Sequence, residues 1–379
     1  MTTRRVYGEG SIYKRSDGRW CGSIRHEDAE GRHDRTVLYG RTKTEVRDKL
    51  KAALARVDDG SPVRDATATL AAWLKEWRKT QLAASNLKPT TKSLYRSISK
   101  THLEPDPFGR ITLDRLKPSH VDRLILELRA KKLASSTVRQ VYHVLRLALA
   151  GAVRDKLIAR NPCEAVKRPT VERTEAKYLS ATDVSALLKA AEPSRYHALL
   201  ELIARTGMRR GEALALKWDD VDTETGTLRV RGTLSRVDGT LVVSEPKTAK
   251  SRRTLPLSPA VIARLKWQRA VQAREREQAA NVWHETGFVF TTETGRPVDG
   301  RDLFRTLQAA AKKAKLSGIG IHTLRHSAAT AMLENGVNLK AVSDLLGHSS
   351  IAITGDVYAH VSEGTARSAM DTLSDAIGI

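Results

Sequence analysis

Hydrophobic positions change their period three times along the chain. Between residues 11 and 40 they come in short runs: Ser11-Ile12-Tyr13, Trp20-Cys21-Gly22-Ser23-Ile24 and Thr36-Val37-Leu38-Tyr39. Turn residues part the runs, at Ser16-Asp17-Gly18 and around Glu30-Gly31, which is the signature of hairpin strands. The period then lengthens. Val46, Leu50, Ala53, Leu54 and Val57 share one face of a helix capped by Thr42 or Thr44 and running through Ala55.

Beyond the linker signal Gly60-Ser61-Pro62 the spacing is helical throughout. Leu70, Trp73, Leu74 and Trp77 form one stripe. Pro89 opens a helix through Ile98, and Pro118 opens another with Val121, Leu124, Ile125 and Leu128 inward. Ser135-Ser136 is expected to cap a long helix bearing Val138, Val141, Leu145, Leu147 and Leu149. Asn161-Pro162 ends this stretch. The two tryptophans read as core rather than as platforms for stacked bases.

After a polar connector at residues 167–177 the pattern becomes mixed. Ser180 starts a helix with Val184, Leu187 and Leu188. A second helix with Leu199, Leu200, Leu202 and Ile203 breaks at Thr206-Gly207, and Met208-Arg209-Arg210-Gly211-Glu212 leads into a helix from Ala213 to Trp218. Strands are predicted at 228–231, 241–243 and 253–257, the last two joined by a turn at 246–250. Helices follow from Pro259 and Leu303. The final predicted helices carry Ala328, Ala329, Met332 and Leu333, then Leu339, Val342, Leu345 and Leu346 with Gly347 as a stop. The fold class is therefore multidomain α+β. A small three-stranded sheet plus helix (1–60) precedes a helical bundle (61–170) and a mostly α domain with a small antiparallel sheet (175–379).

Charge sharpens this picture. The 379-residue chain has 65 Lys and Arg against 43 Asp and Glu, a net charge of +22. Nucleic acid is the first polyanion to consider, against a merely basic soluble surface. Residues 61–175 hold 23 basic and 11 acidic side chains, a balance of +12 and over half of the excess. A basic helical domain ahead of a larger one suits a grip on duplex phosphates. On the N-terminal strands, Arg4, Arg5, Lys14, Arg15, Arg19 and Arg25 could face a DNA groove or simply solvent. Cys21 and Cys163 form neither a CxxC pair nor a zinc spacing, so a reducing compartment is expected. No signal peptide or membrane-length apolar run is present, and the expected location is the cytoplasm.

Candidate chemistry concentrates near the C-terminus. His322 and Arg325, three apart on one helix, face the same way. His348 follows Gly347. Tyr358 lies on a short helix capped by Ser349 or Ser350, with Ile351, Ile353 and Val357. Upstream, Arg209 sits at a break between apolar helices, where backbone amides favour an anion; a surface arginine near a cap looks the same. Lys247 is on an exposed turn that it shares with Lys250. Each residue has a plain structural reading alone. As a set they match one reaction. Attack on a phosphodiester builds negative charge, which two guanidiniums can clamp. A tyrosine can be the nucleophile, histidine can take its proton, and lysine can protonate the leaving oxygen.

TGMRRGEALAL at 206–216, PKTAKSRRTLPL at 246–257, HTLRH at 322–326, LLGH at 345–348 and the segment ending at Tyr358 resemble, in order, the boxes of the tyrosine recombinase or phage integrase family. The helical domain before them resembles the family's core-type DNA-binding domain. Residues 1–60 resemble the arm-site-binding domain of integrases from phages and integrative elements. The resemblance implies a phosphate clamp of Arg209 and Arg325, with Glu212 supporting the first. It implies Lys247 as general acid, His322 as an aid to proton transfer, His348 as a phosphate ligand and Tyr358 as the residue that forms a 3′-phosphotyrosine. It implies a homotetramer on double-stranded attachment-site DNA that integrates and excises a phage or mobile element. That neither a metal nor a cofactor is needed is an expectation that rests on the same resemblance. A directionality factor and a DNA-bending host protein are possible partners. The tail bearing Ala369, Met370, Leu373, Ala376 and Ile377 would dock on a neighbouring protomer. A dimer-resolving relative and a non-catalytic DNA-binding regulator are the alternative readings.

Overall fold

A computed structural model describes residues 10–27, 33–58, 63, 66–172, 177–245, 252–348, 350–352, 355 and 374. The chain divides into two compact units, Met1–Arg173 and Thr174–Ile379.

The first unit contains two separate hydrophobic cores. In the smaller, β1 (Ser11–Lys14), β2 (Trp20–Glu27) and β3 (His33–Gly40) form an antiparallel sheet in that order. Helix α1 (Lys43–Asp58) covers one face with Val46, Leu50 and Ala53, and Thr42 Oγ1 caps it by accepting the Glu45 N–H at 3.1 Å. Gly22 makes the close packing possible, since a Cβ there would lie 2.8 Å from Val46 Cγ1. The other sheet face is open. Tyr13 and Tyr39 flank Cys21 in register, and Arg25 pairs with Arg35. Arg15 and Arg19 stand over the Tyr39 ring at 5.8 and 6.0 Å, whereas Lys14, in register with Trp20 and Gly40, falls on the opposite alternation.

The larger core is the expected bundle. It comprises α2 (Leu70–Lys79), α3 (Gln81–Ala84), α4 (Pro89–Ile98), α5 (Pro118–Ala130) and α6 (Ser135–Arg154). Trp73 and Trp77 are buried in it, and the Trp73 indole N–H donates to the Ala148 carbonyl at 2.9 Å, tying α2 to α6. The expected serine cap of α6 is not formed. The helix already begins at Ser135, the N-cap residue is Ala134, and neither serine side chain serves it. Cys21 and Cys163 are both free buried thiols, and burial pushes the Cys163 thiol up to about 12.

The second unit begins with α7 (Ala181–Ala191), capped by Ser180 Oγ accepting from the Asp183 N–H at 3.1 Å. Then come α8 (His197–Thr206) and α9 (Arg210–Leu214). Helix α9 lasts one turn and does not reach Trp218 as expected, because Leu216 and Lys217 extend to meet the segment at Phe288–Val289 through backbone bonds. Strands β4 (Val221–Asp222), β5 (Thr227–Val230), β6 (Thr233–Val237), β7 (Thr240–Ser244) and β8 (Arg253–Pro256) make two sheets. The first has the order β4-β5-β8, and the second is the β6-β7 hairpin. Strand β6 was not expected, and the predicted pairing of 241–243 with 253–257 gives way to β6 beside β7 and β5 beside β8. Helices α10 (Pro259–Ala279), α11 (Gly300–Lys313), α12 (Ile321–Glu334) and α13 (Leu339–Leu346) complete the unit. Among the described residues no helix is long and apolar enough to cross a membrane.

Candidate active site

Two helix ends meet at the site. Gly207 ends α8 and Gly347 ends α13, both left-handed, at φ +63° and +65°. That conformation is strained for a side-chain-bearing residue and natural for glycine. At Gly207 a Cβ would also lie 2.4 Å from Leu346 Cδ2.

Arginines close this junction. Arg325 on α12 is 4% exposed. It donates through Nη1 to the Gly207 carbonyl at 2.7 Å and through Nη2 to the Leu346 carbonyl at 2.6 Å. Arg209, at the N-cap position of α9, donates through Nη2 to the Gly347 carbonyl at 2.8 Å. Arg253 on β8 donates through Nε to the Leu345 carbonyl at 2.6 Å. Three consecutive carbonyls at the C-terminal end of α13 thus accept from three guanidiniums. The unpaired carbonyls and negative dipole end of a helix favour cations there.

Glu212 lies between two of these cations. Its Oε1 accepts from Arg209 Nη1 at 2.8 Å, while its Oε2 accepts from the Arg209 backbone N–H and from Arg253 Nη2, each at 3.0 Å. Burial raises its pKa, but the hydrogen bonds and charge of Arg253, then Arg209, outweigh burial and leave the carboxyl below its ordinary range. Burial, then Arg209, brings the Arg325 guanidinium down to about 9, so it remains a cation at neutral pH.

The histidines stand against this charge. His348 is buried directly after Gly347, and its backbone N–H donates to the Ser343 carbonyl at 3.0 Å. Burial, followed by Arg325 and Arg209, depresses its pKa to about 4. Its ring is therefore neutral at pH 7, with one nitrogen able to donate and the other to accept. His322 is exposed in the first turn of α12. Surrounding protein and the charges of Arg325, His326, Arg210 and Arg209 lower its pKa too. Each guanidinium has five N–H donors. Arg209 and Arg325 each use two of them on the partners described, which leaves donors for an external oxyanion.

The structure thus brings together Arg209, Glu212, His322, Arg325 and His348. Lys247, the neighbouring Lys250, Tyr358, the tail residues Ala369, Met370, Leu373, Ala376 and Ile377, and Arg4 and Arg5 lie outside the described residues. The expected helix after His348 starts at Ile351, with Ser350 Oγ accepting from the Ala352 N–H at 3.3 Å. Sequence reasoning missed Arg253. The available signal was the strand period of two, which places Arg253 on the inward face with Leu255 and Leu257.

Known proteins resemble this chain in sequence and in fold. The phage integrase family model matches residues 177–364. The XerC-like tyrosine recombinase of Caldanaerobacter subterraneus is 30% identical over 370 residues, which cover 92% of this chain and 93% of that protein. An integrase of Streptomyces ambofaciens is 31% identical over 94% of both chains. Among solved structures, the Tn1549 transposon integrase in complex with a circular intermediate DNA is similar in fold. Its TM-score is 0.66 at 21% identity, over 80% of this chain and 99% of that one. A lambda integrase dimer bound to a COC′ core site gives 0.59 at 19% identity, over 93% and 96%.

Proposed function

The chain belongs to the phage integrase family of tyrosine recombinases, and from that premise we propose that Arg209 and Arg325 clamp a scissile DNA phosphodiester while Tyr358 attacks it. The protein is a site-specific DNA recombinase. In the proposed step the Tyr358 oxygen bonds to phosphorus and its proton passes toward His322. The bond to the 5′-oxygen breaks, and Lys247 protonates that oxygen. The product is a 3′-phosphotyrosine and a free 5′-hydroxyl. Attack by a 5′-hydroxyl from the partner site reverses the chemistry and joins new strands, with the phosphoester bond conserved.

The observation that carries this reading is the convergence of Arg209, Arg325 and neutral His348 on one junction, with guanidinium donors left over. Preorganised donors of this kind stabilise the charge that develops on the non-bridging oxygens, each being worth about 10²–10³ in rate. His348 would donate a hydrogen bond to the same phosphate. A lambda integrase tetramer has been seen bound to a Holliday junction. By analogy, four copies of this chain would pair two attachment sites and exchange strands two at a time. The reaction would take place on DNA in the cytoplasm. A suicide substrate built from attachment-site DNA tests the mechanism. It should trap a covalent adduct whose peptide contains Tyr358, and Tyr358→Phe should abolish the adduct. An undiminished adduct with that variant would discard the assignment.

We extend the proposal to domain roles: 1–60 for arm-type DNA, 61–170 for core-type DNA and 175–379 for catalysis. The two cores of the first unit and the open sheet face with Arg25 and Arg35 support the first division. Removing residues 1–60 should erase gel shifts on arm-type DNA and spare those on core-type DNA. Unchanged arm binding would refute it.

A further inference from the structure

Arg253, 7% exposed in its side chain, spends its Nε and Nη2 donors on two protein partners and so joins two parts of the site. Its Nη2 holds Glu212 Oε2 at 3.0 Å and its Nε holds the Leu345 carbonyl at 2.6 Å. The first partner is the carboxylate that fixes Arg209 through both backbone and side chain. The second begins the turn whose next residues are Leu346, Gly347 and His348. We propose that Arg253 is a positioning residue for strand cleavage, which locks the Glu212–Arg209 pair to the turn that presents His348. This inference rests on the reading of Arg209 and His348 as phosphate-binding groups.

Geometry decides between this role and plain packing. A buried ion pair contributes little net stability compared with a well-packed apolar substitute. Arg253 does what an apolar residue cannot, because it bonds a carboxylate on α9 and a carbonyl at the end of α13 with one rigid plane. Without it, Glu212 loses a partner on Oε2, and the Leu345 carbonyl loses its Nε–H donor. Arg209 and Gly347 then lose a common reference. Displacements near 1 Å at a reacting centre cost on the order of 10² in rate.

The test uses full-length protein in three assays: DNA binding by gel shift, cleavage of a suicide substrate, and cleavage against pH. Arg253→Met should bind site DNA within about threefold of wild type, since most affinity comes from many other phosphate contacts. Its cleavage should fall about 100-fold. Its acid limb should also move to higher pH. Three cations surround Glu212: Arg209 on its own helix, Arg325 on α12 and Arg253 on β8, with His348 beyond α13. Arg253 is the strongest of the influences that lower the Glu212 pKa. Its loss raises the pH at which Glu212 protonates, and loss of a nearby cation raises His348 in the same direction. Arg253→Lys keeps the charge and can reach one partner at a time. It should recover most of the acid limb and about tenfold of the rate.

A purely structural role would lower thermal stability and binding together and leave the acid limb in place, and that result overturns the proposal. If Arg253→Met does not fold, Arg253→Lys decides: wild-type cleavage by it shows that the double link is not needed. Wild-type protein that forms no adduct overturns both this inference and the active-site reading. Wild-type protein that forms one beside a fully active Arg253→Met overturns the inference alone.

Discussion

Arg325→Ala should slow strand cleavage by about a thousand-fold while weakening DNA binding only a few-fold. Both parts follow from where the guanidinium sits. It is buried, it remains charged, and it is held by carbonyls of two different helix ends. Loss of its remaining donors removes stabilisation of a transition state whose charge exceeds that of the bound ground state, an effect of about 10²–10³ per donor. Binding changes little because one phosphate contact among many contributes a small share of affinity. Alanine also leaves the Gly207 and Leu346 carbonyls without this donor, at roughly 1–3 kcal/mol each. Cleavage should therefore be measured well below the variant's unfolding temperature. Arg325→Lys keeps a charge but not a planar fork, and should fall between the two. Equal losses in binding and cleavage would show that Arg325 contributes uniform binding rather than transition-state stabilisation.

Glu212→Ala should be the most destabilising single change at the site. It leaves Arg209 and Arg253 without the carboxylate that both bond, and Arg325 close by. Removing one partner from a buried ion pair costs about 3–5 kcal/mol. For a unit of this size that lowers the thermal midpoint by roughly 10 °C. The second unit has to be followed separately, because a chain of several units need not unfold in one step. The pH dependence has a definite sign. The folded carboxyl has a lowered pKa, so its stabilisation is present above the ordinary carboxylate value of about 4.5 and is lost as pH falls through the folded value. Wild type and variant should converge in stability toward acid. A midpoint difference that persists unchanged at low pH would place the effect in packing instead.

Local chemistry made much of the fold readable. Pro89, Pro118 and Pro259 start their helices. Ser180 caps α7, and Gly207 and Gly347 end α8 and α13. In each case one residue's backbone preference or side-chain oxygen decides the boundary. Strand pairing was harder, because partners are chosen across the chain. The Asp238-Gly239 turn between β6 and β7 was a usable hairpin signal, but Thr233-Leu234-Ser235-Arg236-Val237 alternates too weakly to read as a strand by itself. The site divides the same way. Spacing put His322 and Arg325 on one helix and a helix break marked Arg209, but each of these residues and His348 had a plain structural reading alone, and only the set and the family boxes singled them out. The grip of three guanidiniums on successive carbonyls of α13 was not legible. Carbonyl direction depends on tertiary packing, and nothing in LLGH as a string specifies which cations stand opposite it.

The meeting of Gly207 with the end of α13 has a consequence for engineering. Arg325 is held by the oxygens of Gly207 and Leu346, so the least replaceable parts of the site include residues that contribute no reactive side chain. A directed-evolution library that randomises 206–212 and 345–348 to shift site preference would be dominated by chains that have lost the junction, whatever their chemistry. New DNA preferences should instead be sought on surfaces that leave both glycines and Leu346 in place.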